Sequence, residues 1–112
     1  METVIFEIIL HAGNARAEAY EALRVAKARD FEAAAEHLRL AEEEIGIAHR
    51  TQVEIIQGEA RGEKTEISLL FVHAQDHLMT AIAEKSLIEN MVDMQKTIYL
   101  LEQKMEVLGC KD

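Results

Sequence analysis

The sequence contains no proline and no tryptophan, only five glycines, and a single cysteine among 112 residues. Without proline, the strongest helix breaker is missing. Ala, Glu, Leu and Ile dominate instead, and most of them are good helix formers. The lone Cys110 excludes an intrachain disulfide and, two residues from the end, falls in a tail expected to fray. Positive charge is also scarce: 12 Lys and Arg stand against 21 Asp and Glu, giving a net charge of −9. No basic stripe is present, which argues against a nucleic-acid partner. No apolar run approaches the ~20 residues of a membrane span. Met1–Phe6 lacks the basic start and apolar run of a signal peptide. The expectation is one cytoplasmic domain over 1–112, with no direct membrane insertion.

What is present is helical periodicity. Ile5, Ile8, Ile9, Ala12, Ala19, Leu23 and Ala26 fall three or four residues apart, or at sums of these, on one face. Gly13-Asn14 lies inside that pattern and is a place where the helix could bend. Asp30 suits an N-cap. It opens a second stripe of Phe31, Ala34, Leu38, Ala41, Ile45, Ala48, Gln52 and Ile55, closed by Gly62 at the C′ position. Thr65 is the expected cap of a third helix. The expected helices cover about 3–28, 31–61 and 66–108, the last a rod of roughly 60 Å at ~1.5 Å per residue. Short loops between long helices predict an all-α, three-helix up-down-up bundle.

The third helix carries two apolar faces. Ile67, Leu70, Phe71, Ala74, Leu78, Ala81 and Ile82 can pack on the first two helices. The second face runs Leu69, His73, Asp76, Thr80, Ala83, Leu87, Met91, Met94, Ile98, Leu101 and Met105, in alternating steps of four and three with a small discontinuity at Leu87. A small three-helix chain does not need both faces buried, so the second is either a self-association seam or a deeper part of the monomer. Asp76 sits within it. In a parallel trimer three copies would converge and offer hard oxygen ligands to a divalent cation such as Mg²⁺; a solvated surface aspartate is the alternative.

The segment His73-Ala74-Gln75-Asp76-His77-Leu78-Met79 is the most unusual in the chain. Helical spacing puts His73, Asp76 and His77 side by side. Three readings follow from spacing. The cluster could ligate a metal in a non-catalytic helical oligomer. One imidazole could be a nucleophile whose tautomer is fixed through its other nitrogen. Or the pair could be two histidines on a partly exposed face. Elsewhere, His37 reads as solvated, His49 and Gln52 as candidates for buried hydrogen bonds, and Glu42–Glu44 as a solvated face. Met91, Met94 and Met105 read as adaptable core.

The seven-residue histidine segment resembles the active-site motif of the lactose/cellobiose family of phosphotransferase-system IIA proteins. Ala12-Gly13-Asn14-Ala15-Arg16 resembles the family's first-helix signature. Ala48-His49, Gln52, Ile56-Gln57 and Glu59-Ala60 resemble its second-helix pattern. The resemblance weakens after about Ser86. It implies a phosphocarrier in which His73 accepts a phosphoryl group from phospho-HPr and passes it to a cysteine of a IIB component during uptake of a β-linked disaccharide. It further implies a homotrimer around parallel third helices, with Asp76 binding a metal at the axis. Gln75 and His77 are expected as supporting groups. Neutral imidazole suits such a relay because it attacks readily and releases the group again, while a rigid helix supplies the positioning.

Overall fold

The computed structural model describes residues 2–109; Cys110 lies outside them. The chain forms three helices, α1 (Glu2–Lys27), α2 (Phe31–Ala60) and α3 (Leu69–Val107). They run up, down and up in a rod of 67 × 21 × 20 Å. α1 is the central element, packed closely on both α2 and α3, which touch each other less. It continues through Gly13-Asn14 without interruption.

Alanine explains the close approach. Ala12, Ala15, Ala19, Ala22 and Ala26 make an unbroken buried stripe on α1, and small side chains let helix axes come near the lower end of the usual 8–10 Å. Ile8 and Leu78 are the largest side chains that are fully buried. The core is therefore thin. One cluster joins Ile5, Ile8, Ala12, Ala48, Phe71, Ala74 and Leu78 near the start of α1. A second joins Ala19, Ala26, Ala34, Ala41, Ile88 and Val92 toward the hairpin tip. Among the described residues no helix is long and apolar enough to cross a membrane.

Both chain reversals follow from local chemistry. After α2, the Gly62 N–H donates to the Glu59 carbonyl (2.9 Å) and the Glu63 N–H to the Gly58 carbonyl (3.0 Å). This is the Schellman pattern, with Gly62 at φ 93°. Gly62→Ala is expected to lose about 1 kcal/mol in urea unfolding, because a Cβ is strained at that φ. After α1 the same pattern recurs, with Arg29 to Ala26 and Asp30 to Val25 (both 2.9 Å). Here a non-glycine, Arg29, takes the left-handed position at φ 68°. Its side chain offsets the strain: the guanidinium lies 5.1 Å from the Tyr99 ring centroid and pairs with Glu102, both on α3. Asp30 then caps α2, its carboxylate accepting from the Ala33 N–H (3.1 Å).

The third helix departs from the sequence expectation. It starts at Leu69, not Glu66, and its N-cap is Ser68, whose hydroxyl oxygen accepts from the Phe71 N–H (3.1 Å). Thr65 is not the cap. Ser68 is the equally suitable residue one turn on, and the extended 63–68 segment is the linker that closes the α2–α3 connection. Ile67 accordingly falls outside the helix and is 76% exposed, not packed. The remaining inward residues, Phe71, Ala74, Leu78 and Ala81, are buried as their spacing predicts.

Three further expectations need correction. His37 is half-buried, with Nδ1 2.6 Å from a Glu18 oxygen. His49 is exposed and makes no side-chain hydrogen bond among the described residues. Glu42 and Glu43 are exposed, but Glu44 is half-buried and 2.5 Å from His11 Nδ1. Helical spacing reported which face these residues share but not the partner across the α1–α2 groove.

Candidate active site on the third helix

The second face of α3 is not covered within the chain. Leu87, Met91, Met94, Ile98, Leu101 and Met105 are 43–62% exposed, so these methionines are not core of the single chain. His73, Asp76, Thr80 and Ala83 continue the same exposed row. A stripe of large apolar residues left open along a helix of this length is the kind of surface on which protein partners associate.

His73 and His77 stand one turn apart near the upper end of this row. Their rings are nearly parallel, 7° between planes, with centroids 5.9 Å apart. Their surroundings differ. His73 is exposed. His77 is half-buried against α1, where a Cβ built on Gly13 would lie 3.5 Å from its Nε2. The ring therefore lies within van der Waals reach of α1 at Gly13, a contact that a small side chain there would also allow. Burial, and then the nearby Arg16 guanidinium, push the His77 pKa below its ordinary value. The imidazole is therefore neutral at pH 7, with one nitrogen able to donate.

Arg16 is held on the same α1 face, one turn beyond Gly13. It donates to both carboxylate oxygens of Glu84, from Nε at 2.9 Å and from Nη2 at 3.1 Å. Arg16 was legible only as part of the first-helix signature, and Glu84 not at all. Their 68-residue separation leaves no local signal.

Asp76 is exposed, and among the described residues no ion pair reaches its carboxylate; the Thr80 hydroxyl donates to its backbone carbonyl (3.0 Å). Gln75 faces the other way. It accepts from Gln52 Nε2 of α2 at 2.9 Å. Gln52, the one polar member of the α2 stripe, is 8% exposed and so has its buried amide satisfied. The structure therefore brings His73, Asp76 and His77 together on one side and sets Gln75 toward α2. Among the described residues no group of three or more His, Cys, Asp or Glu is arranged to hold a metal within one chain.

An all-helical bundle with an exposed imidazole beside an open apolar stripe defines a protein that presents its reactive group to partners, not one that encloses a small substrate. Comparison with known proteins narrows this. Residues 3–96 match the family model for the PTS system, lactose/cellobiose specific IIA subunit. The lichenan-specific phosphotransferase enzyme IIA component of Bacillus subtilis is 50% identical over 98 residues, covering 88% of this chain and 89% of that protein. The crystal structure of the PTS cellobiose-specific enzyme IIA from Bacillus anthracis superposes with a TM-score of 0.86 at 49% identity, covering 88% and 91% of the two chains. The IIA(chitobiose) chain solved in complex with HPr, from Escherichia coli, superposes with a TM-score of 0.77 at 36% identity, covering 88% and 95%. The chain belongs to the lactose/cellobiose-specific IIA family of the sugar phosphotransferase system. It is a phosphohistidine carrier, a transferase component of that system.

Proposed function

We propose that His73 is the residue that carries the phosphoryl group, between phospho-HPr and a cysteine of a IIB component, in uptake of a β-linked disaccharide. The observation that carries this reading is the contrast between the two histidines. His73 is open to a partner, whereas His77 is half-buried on Gly13 and neutral. A partner protein must bring its own reactive group within bonding distance; in the trimer described below the His73 ring would sit at the edge of the row, in the groove between neighbouring chains, and stay open to it, whereas His77 is already partly covered within its own chain. The lone pair of one His73 nitrogen forms the N–P bond as the bond from phosphorus to the donor breaks, and the donor keeps that electron pair. In this reading His77 is a supporting group, an N–H of its neutral ring donating to a phosphoryl oxygen. Gln75 contributes indirectly, by fixing the α2–α3 contact through Gln52. The relatives named for lichenan, cellobiose and chitobiose support a β-linked substrate class, and the relative solved with HPr supports that donor.

The working unit in this proposal is a homotrimer around parallel third helices. The open row from Leu69 to Met105 supports it, because seven large apolar residues, Leu69, Leu87, Met91, Met94, Ile98, Leu101 and Met105, lie exposed along it. Three Asp76 carboxylates would meet on the axis, and their unpaired, exposed state suits a shared divalent cation such as Mg²⁺. A cation bound there would be held by the Asp76 carboxylates and would supply charge neutralisation.

The test uses a phosphoenolpyruvate-driven donor system. The protein is expected to gain the mass of one phosphoryl group, in a form lost in acid and kept in base. Light scattering coupled to gel filtration is expected to give three times the chain mass. No mass gain, or a monomer across micromolar concentrations, would each remove the corresponding part.

A further inference from the structure

A phosphoryl group on His73 brings up to ~2 negative charges to a place poor in spare positive charge, since one divalent cation on the proposed axis is already outweighed by the three Asp76 carboxylates that share it. The chain as a whole is at −9. Asp76 shares the His73 face, and Glu84 lies two turns below His77. A relay that loads spontaneously needs a cation within reach, since phosphoryl transfer depends chiefly on electrostatic stabilisation and positioning.

Arg16 is the cation whose charge is felt at this histidine pair, through His77. It lies one turn from Gly13, the residue against which His77 packs, and the His77 ring lies parallel to that of His73. Its partner Glu84 is on the far side, toward the C-terminus of α3. The pair is partly open, with side chains 37% and 28% exposed. Lys85, on the neighbouring position of α3, is already bound to Glu42 and Glu89.

We propose that Arg16 is the phosphoryl-holding cation of this relay, parked on Glu84 while His73 is free and turned toward the phosphoryl oxygens when His73 is loaded. This rests on His73 being the carrier. The exchange is energetically open. A partly exposed ion pair contributes about 1 kcal/mol or less, whereas hydrogen bonds to a charged group contribute roughly 1.5–3 kcal/mol. The movement is a change of side-chain rotamer about a fixed helix. Glu84 then acts as a rival anion that keeps the guanidinium ordered between turnovers, and it favours release of the group by taking the guanidinium back.

The experiment compares loading rates from phospho-HPr for Arg16→Gln, Arg16→Lys and Glu84→Gln, each checked for helicity and assembly. Arg16→Gln is expected to lower kcat about tenfold or more, the equivalent of one charge-assisted hydrogen bond, with the KM for the donor little changed. Arg16→Lys is expected to recover part of the rate. Glu84→Gln is expected to load at least as fast as the natural sequence, because it removes the rival. Both Arg16→Gln and Glu84→Gln break the same ion pair, so a purely structural pair predicts equal losses. Equal losses, an unchanged Arg16→Gln rate, or a change confined to KM would overturn the proposal. His73→Gln run alongside separates the two readings: a mass gain there refutes His73 as carrier, while loss there with normal Arg16→Gln loading refutes only the role of Arg16.

Discussion

His73→Gln is expected to abolish phosphoryl acceptance while leaving helicity and assembly unchanged. Glutamine is compatible with a helix interior and similar in reach, and His73 is exposed in the single chain, so the substitution empties no core site and leaves a side chain of like length at the edge of the row. His77→Gln is the informative companion. Chemically the two imidazoles are equivalent, and they lie one turn apart. Their access is not equivalent, because His73 is exposed while His77 is half-buried with its Nε2 on the side of α1 that carries Gly13. His77→Gln is therefore expected to slow loading while still yielding the singly phosphorylated chain. Intact-mass measurement after incubation with the donor system reads both outcomes. A phosphorylated His73→Gln protein, or a His77→Gln protein that alone fails to load, would move the carrier to His77. The same comparison tests the contribution of His77 to transfer, since the loss of a neutral donor costs one hydrogen bond and not the nucleophile.

The helices and their inward faces were legible because a period of 3.6 residues is written locally. Ala34, Ala41, Ile45 and Ala48 are buried where the spacing puts them, and Asp30 and Gly62 close their helices as the residue types require. The start of α3 was less legible, because Thr65 and Ser68 are both competent caps one turn apart. What decides is tertiary: the linker needs the length from Glu63 to Ser68 to return the chain from α2 to α3. His73, Asp76 and His77 could be grouped from spacing, but spacing is silent on which ring is covered. That depends on Gly13, sixty-four residues away. Arg16 and Glu84, His37 and Glu18, and Gln52 and Gln75 were unreadable as pairs for the same reason. Helix periodicity gives a residue's face, and only the packed bundle gives its partner.

Asp76→Leu is expected to preserve the trimer and make its thermal unfolding insensitive to chelator, whereas Met94→Lys is expected to dissociate it. The two substitutions act on one seam in opposite senses. In the natural sequence, three carboxylates brought together repel unless a cation neutralises them. Chelation should therefore lower the melting temperature of the natural trimer. Leucine removes the repulsion and adds apolar surface of the kind already lining the row at Leu87 and Leu101. Replacing buried charge by a packed apolar residue is commonly neutral or stabilising by about 1–4 kcal/mol. At Met94 the change runs the other way. This residue is 62% exposed in the single chain and lies on the same row. Burying it on assembly contributes on the order of 1.5–3 kcal/mol per chain. A lysine there forfeits that gain and sets three like charges around the axis, with no cation-binding oxygen to offset them. Because each chain presents the row once, the loss counts three times per trimer, enough to shift assembly out of the micromolar range. Melts with and without chelator, together with light scattering, distinguish the outcomes. Should Asp76→Leu fall apart while the natural protein ignores chelator, the axial cation is wrong. Should Met94→Lys remain trimeric, the row is not the seam.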